Sequence, residues 1–272
     1  MFELNKKRTS DDVDLLFSDW YDDMTLLALE EGKTDAHIYV DNLDFAHVAI
    51  ILRGFRMRIA GDPLDKNVVA AVQDFFDNVL IGNTDPDMPK YLIIYYQESE
   101  WQDVLLNILS KINPKYFART YYRLNMLDHI PDVPLLEGHR FVNIEEVYNT
   151  MQDYENYKTV VQEMQSEISS PENFLKYCFG VCTVKDHTIT GWAMAEYVNL
   201  SGCEIGFNIP EENKETENTA PALIAEFMRM AKDRGLQYVG WSGYKHNSFG
   251  AEAVQAAGMK HTKDYPCIYV DL

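Results

Sequence analysis

The sequence predicts a mixed α/β protein built from two halves, and three observations carry that prediction. Apolar residues switch repeatedly between helical and strand spacing. Gly, Pro and small polar residues punctuate each switch. The order of elements in the first half then recurs in the second. With 272 residues, 46% of them hydrophobic and 12% aromatic, the chain can bury one large core or two medium ones.

In the first half, residues 11–31 place Val13, Leu16, Phe17, Trp20, Met24 and Leu27 at helical spacing, and Gly32 closes the run. Strands are expected at 37–41, 47–52 and 55–60, then a helix over 64–80 along Val68, Val69, Val72, Phe75 and Phe76. Strand 91–96, helix 98–112 and strand 116–124 complete an α-β-β-β-α-β-α-β order. Arg56 and Arg58 alternate with Phe55, Met57 and Ile59, which gives one basic strand face; solvation is its ordinary meaning. Leu127-Asp-His-Ile-Pro-Asp-Val-Pro134 reads as a linker, since its two prolines suit neither a helix nor a central strand. The expected domains are therefore 1–130 and 131–272.

The second half opens with a strand near 139–142 and helical stretches at 144–151 and 154–168. Ser170-Pro171-Glu172 is a helix start: a hydroxyl cap, then Pro at the first position, then acid. Strands follow at 177–184, 189–198 and 203–209, with Lys185-Asp186-His187 as the tight connection between the first two. Helix 220–234 ending at Gly235, strand 237–244, helix 249–257 ending at Gly258 and strand 267–272 finish the chain. From Tyr154 onward the α-β-β-β-α-β-α-β order repeats, which points to a tandem duplication.

Composition bounds the function. A net charge of −19 opposes nucleic-acid binding, which needs an excess of Lys and Arg. It serves solubility, and a sharper reading is a cleft that attracts cationic amines. No apolar run reaches the roughly 20 residues of a membrane span, and the first residues lack a signal-peptide core. A cytoplasmic protein without membrane partners is expected. Cys178, Cys182, Cys203 and Cys267 fall in strand-like apolar runs, the first two on one strand, and form no CxxC pair. Buried free thiols are expected, with no metal site.

Several short motifs carry a family resemblance. They are Leu29-Glu-Glu-Gly32, Val40-Asp-Asn42, Gly54-Phe-Arg-Met-Arg-Ile-Ala-Gly61, the Asp128-His-Ile linker, Glu204-Ile-Gly206, and His246-Asn247 with Ala257-Gly258-Met259. In this order they resemble the GNAT N-acetyltransferases, in particular the subgroup typified by the zwittermicin A resistance acetyltransferase. The resemblance implies two GNAT-like halves, each a mixed, mostly antiparallel sheet with flanking helices, the second half using acetyl-CoA. It implies acetyl transfer to a small-molecule amine by direct attack in a ternary complex, and it allows for a homodimer. A GNAT-fold binding or regulatory protein that has lost catalysis is the alternative.

The resemblance also implies site residues. In this fold a splayed fourth strand offers its amides to the pantetheine arm, which makes Gly206, Phe207, Asn208 and Ile209 candidate contacts. A glycine inside a strand agrees with close backbone approach. The pyrophosphate loop of the family, Arg/Gln-x-x-Gly-x-Gly/Ala, aligns with Glu215-Thr-Glu-Asn-Thr-Ala220, so Asn218, Thr219 and Ala220 are its candidates at a helix N-terminus. Asn218 or Thr219 is expected to cap that helix. Glu211, Glu212, Glu215 and Glu217 surround the loop and oppose an anion there. Glu204 is the expected general base, Asn247 a positioning residue, and Tyr244 a substitute general acid, since the family's usual tyrosine is replaced by Val254. Tyr265 and His246 are lesser candidates. Trp192, Met194 and Glu196 are candidates for the acceptor side, with core packing an equal explanation for the first two.

Overall fold

A computed structural model describes residues 1–4, 11–20, 23–81, 83, 89–166, 168, 170–210 and 219–272. The chain divides into two compact units: Met1–Arg119 with Tyr265–Leu272, and Thr120–Asp264. The sequence-derived boundary near residue 130 falls inside the second unit. Residues 127–134 carry neither helix nor strand. They are nonetheless held in that unit: Ile130 and Val133 pack on its core, and the Arg229 guanidinium donates to the Pro131 carbonyl at 3.0 Å.

The first stretch of chain forms β1 (Phe2–Glu3), α1 (Asp11–Leu16), a 3-10 turn Ser18–Trp20, α2 (Met24–Glu30), β2 (His37–Val40), β3 (Val48–Arg53), β4 (Arg56–Gly61) and α3 (Lys66–Phe75). A π turn (Phe76–Leu80), β5 (Tyr91–Tyr95), α4 (Trp101–Ile108), a 3-10 turn Ser110–Ile112 and β6 (Lys115–Asn125) follow. The single helix expected over 11–31 is broken, and Asp23 supplies a reason. Its Oδ1 accepts from the amides of Thr25 (3.0 Å) and Leu26 (3.1 Å), which starts a new helix, while its Oδ2 accepts from Arg58 Nε at 2.7 Å. Arg58 is therefore not on a solvated face. It is 6% exposed, bonded also to the Thr25 hydroxyl, and lies 5.4 Å over the Tyr95 ring. The sheet of this unit runs β1-β2-β3-β4-β5-β12 and packs Val48, Ile50 and Leu52 against Val72, Phe75, Trp101 and Leu105.

The second stretch forms β7 (His139–Asn143), α5 (Ile144–Thr150), α6 (Tyr157–Met164), α7 (Pro171–Tyr177), β8 (Gly180–Lys185), β9 (Thr188–Val198) and β10 (Gly202–Asn208). Then come α8 (Ala220–Asp233), β11 (Tyr238–Tyr244), α9 (Ser248–Ala256) and β12 (Lys260–Asp271). Ser170 caps α7 as expected, its Oγ accepting from the Asn173 amide at 3.2 Å. Because α7 runs through Tyr177, Cys178 ends that helix and does not share a strand with Cys182. All four cysteines are free thiols, Cys178 half-buried and the rest buried. The last strand begins at Lys260 rather than 267. Pro266 hides it in the sequence, yet the ladder to β5 starts only at Cys267, so the missing N–H falls outside that ladder.

The sheet of the second unit runs β6-β11-β10-β9-β8-β7 and is mixed, with β10 and β11 parallel and β7 to β10 antiparallel. One face packs Ala193, Ala195, Cys203, Ile205, Val239 and Trp241 against α8 and α9. The other packs Val184, Ile189, Trp192 and Met194 against α5, α6 and α7. Among the described residues no helix is long and apolar enough to cross a membrane.

Candidate functional site

In the second unit β10 and β11 part company. Their parallel register joins Gly202–Glu204 to Tyr238–Gly240, whereas the strands continue to Asn208 and Tyr244. Past Glu204, then, the inner edge of β10 faces β11 without a register partner. Backbone amides in such a position require another partner. Alternation sends Phe207 toward α8 and α9 with Trp241, ring centroids 6.2 Å apart, and Phe249 lies 6.3 Å from Phe207. The gap is thus lined on that side by three aromatic rings.

Glu204, Gly206 and Asn208 occupy the opposite face of the strand. Glu204 is half-buried, opposite Tyr197 on β9 and Gly240 on β11. The register slips between Glu204 and Ile205, so that Glu196 is an extra residue on β9. The bulge brings the Glu196 carboxylate over Gly206, where any Cβ would strike Glu196 Oε1. Glycine at 206 thus leaves room for a neighbouring acid, whose side chain would have to move for any larger residue. Beside them is a cavity of about 10 Å³, room for about one water, lined by Glu163, Ser166, Met194, Glu196 and Gly206 among others. Trp192 and Met194 both pack in the core, at 1% and 3% exposure, whereas the Glu196 carboxylate reaches Gly206.

Gly240 exposes a residue that sequence reasoning missed. A Cβ there would collide with the Tyr121 hydroxyl, which β6 delivers to the point where β10 and β11 separate. Tyr121 is 5% exposed. Glu204 is Gly240's register partner on β10, so a carboxylate and a phenol flank one glycine. The available signal was Gly240 itself, a glycine inside a buried strand. Further back, burial holds the Tyr238 phenol above its ordinary pKa, Arg123 over its ring at 3.8 Å pulls it down, and the Glu204 charge pushes it up.

The remaining candidates scatter more. Asn218 and the acidic residues Glu211, Glu212, Glu215 and Glu217 lie outside the described residues. Thr219 and Ala220 are fully buried at the start of α8. Thr219 makes no side-chain capping bond, because its backbone is already helical (φ −80°, ψ −16°) rather than extended. Asn247 does cap α9, its Oδ1 accepting from the Gly250 amide at 3.0 Å. Tyr244 stacks on exposed His246 at 5.3 Å just beyond the end of the gap. Val254 is fully buried in the core, and Tyr265 belongs to the first unit, 6.1 Å from Tyr95. Among the described residues no group of three or more His, Cys, Asp or Glu is arranged to hold a metal.

The first unit has a parallel strand pair of its own, but β5 ends with the register at Tyr95. Its β4 and β5 are parallel over Arg56–Arg58 and Ile93–Tyr95 while β4 runs on to Gly61. There the Trp101 indole, fully buried at the start of α4, donates to the Gly61 carbonyl at 3.0 Å.

The GNAT acetyltransferase family model matches residues 14–267. Solved structures share the fold. A GCN5-related N-acetyltransferase-like protein from Streptococcus suis is 21% identical with a TM-score of 0.69, over 96% of this chain and 97% of that one. A GCN5-related N-acetyltransferase from Sphaerobacter thermophilus is 13% identical with a TM-score of 0.54, over 95% and 85%. A tandem GNAT protein from the clavulanic acid biosynthesis pathway is 10% identical with a TM-score of 0.52, over 87% and 82%. No curated protein sequence matches.

Proposed function

The chain belongs to the GNAT acetyltransferase family, and we propose that it moves an acetyl group from CoA to the amine of a small molecule by direct attack in a ternary complex. Within the family we place it beside the zwittermicin A resistance acetyltransferase, on the Leu29-Glu-Glu-Gly32 and Asp128-His-Ile motifs. The observation that carries the functional reading is the parting of β10 and β11 after Glu204 and Gly240. It supports a pantetheine site because the strand edge at Gly206–Asn208 needs partners and the neighbouring aromatic wall suits an apolar arm. At the other end, Thr219 and Ala220 begin α8, whose N-terminal dipole favours a phosphate.

Acetyl-CoA supplies a thioester whose acyl carbon takes the amine nitrogen as the C–S bond breaks. Glu204 takes the proton from the substrate ammonium, directly or through a water. Glu163 and Glu196, which line the small cavity next to Gly206, add negative charge on that side and favour a cationic amine. Tyr121 and Tyr244 are the two phenols placed to return a proton to sulfur, and of these Tyr121 stands at the point of divergence. Asn247 positions by fixing the start of α9.

Steady-state transfer to a panel of primary amines tests this reading. Glu204→Gln is expected to keep acetyl-CoA affinity while lowering kcat about 10²-fold or more, the usual worth of a general base. Unchanged kcat would remove Glu204 from the mechanism. The second reading, a family member that binds without catalysis, draws on Val254, a fully buried aliphatic where the family has its acid. It predicts acetyl-CoA binding, or none, with no transfer to any amine.

A further inference from the structure

The first unit contains a cavity of about 260 Å³ that the transfer chemistry leaves unused. It is enclosed by α1, the Ser18–Trp20 turn, α2 and Ile51 of β3. Phe17, Trp20, Leu26 and Leu29 form buried apolar walls, and the Phe17 and Trp20 rings meet edge to face at 5.5 Å. Its volume exceeds the ~150 Å³ that admits benzene in an engineered apolar cavity and approaches the ~300 Å³ at which small-molecule sites begin.

Two carboxylates, Asp14 and Glu30, complete the lining. Both residues are exposed while the walls are buried, so the charges stand at the mouth. Neither forms an ion pair among the described residues; the nearby Lys33 is engaged by Glu31 at 2.6 Å. The Glu30 carboxyl is held above its ordinary value by burial first, then by the charges of Asp14 and Glu31. An apolar chamber with two mutually repelling acids at its entrance gains most from an occupant with a greasy body and one positive end.

We propose that this chamber binds a small hydrophobic primary amine, its ring or alkyl body between Phe17, Trp20, Leu26 and Leu29 and its ammonium at Asp14 and Glu30. This is a binding site of the first unit, independent of acetyl transfer in the second.

Calorimetric titration of the full chain with 2-phenylethylamine tests it, with 2-phenylethanol as the neutral counterpart. The expected result is saturable binding of one amine per chain and at least tenfold weaker binding of the alcohol. An Asp14→Asn/Glu30→Gln double variant, altered only at exposed positions and checked for folding by circular dichroism, is expected to bind the amine about tenfold more weakly. Its acetyl-CoA titration should match the parent. Absence of saturable amine binding, equal affinity for the alcohol, or undiminished amine binding by the folded double variant would each overturn the proposal. The last outcome would assign the amine to another site, such as the acceptor side of the second unit.

Discussion

At the scale of single residues, the proposed chemistry rests on Tyr121 and Glu204. The Tyr121 phenol lies against Gly240, the register partner of Glu204, and only one of the two residues was legible in the sequence. Glu204 could be read because it sits in a strand motif; Tyr121 could not, because it lies 83 positions before Glu204 in the 272-residue chain and only the sheet order brings β6 beside β11. Tyr121→Phe is expected to lower kcat about tenfold or more and to shift the alkaline limb of the rate profile. Tyr244→Phe, at a residue stacked on an exposed histidine, should change either by less. Equal effects of the two variants would separate Tyr121 from proton transfer. Asp264 offers a test of acid stability. Its bonds to Lys245 (2.6 Å) and then His261 (2.9 Å) hold its carboxyl down at about 2. A depressed folded-state value means that this contribution is complete above the ordinary carboxylate pKa near 4 and is lost as pH falls toward about 2. Since Asp264 is partly exposed, screening keeps it below about 1 kcal/mol. Acid unfolding of Asp264→Asn should run less stable than the parent at neutral pH and converge with it at the acid end.

Helices and strands were mostly legible where periodicity and caps agree, as at Ser170-Pro171 and along α8. They were misread where a long-range partner decides. Asp23 ends up shared between the α2 amides and buried Arg58, and no local pattern announces that. Removing it should strip a cap, worth about 1 kcal/mol, and leave a buried guanidinium short of its anion, worth about 3 kcal/mol or more. Urea unfolding of Asp23→Ala should therefore show a loss of roughly 3–5 kcal/mol. A loss confined to the cap alone would mean that the ion pair contributes nothing. On β11, Gly240→Ala should cost about 1–3 kcal/mol by overpacking against the Tyr121 ring. Tyr121→Phe in the same chain should recover part of that cost, because it removes the colliding oxygen. Absence of recovery would contradict the packing described here.

Across the whole molecule, the repeated order of elements was visible from spacing alone, and each unit contains a parallel strand pair. What spacing could not reveal is that β10 and β11 both run on past their register, whereas β5 ends with its own. In the first unit the Trp101 indole bonds the Gly61 carbonyl; in the second the start of α9 is Asn247, capping its own helix. The acidic loop before α8, the feature of the sequence that most opposes CoA, falls largely outside the described residues, so the strand geometry and the loop chemistry make opposite predictions. Calorimetric titration of the full chain with acetyl-CoA decides between them. The account predicts saturable binding of one acetyl-CoA per chain, retained in Glu204→Gln and unaffected by Trp101→Phe. Two sites per chain would contradict a single cofactor site in the second unit, and no saturable binding by the folded protein would contradict the transferase itself.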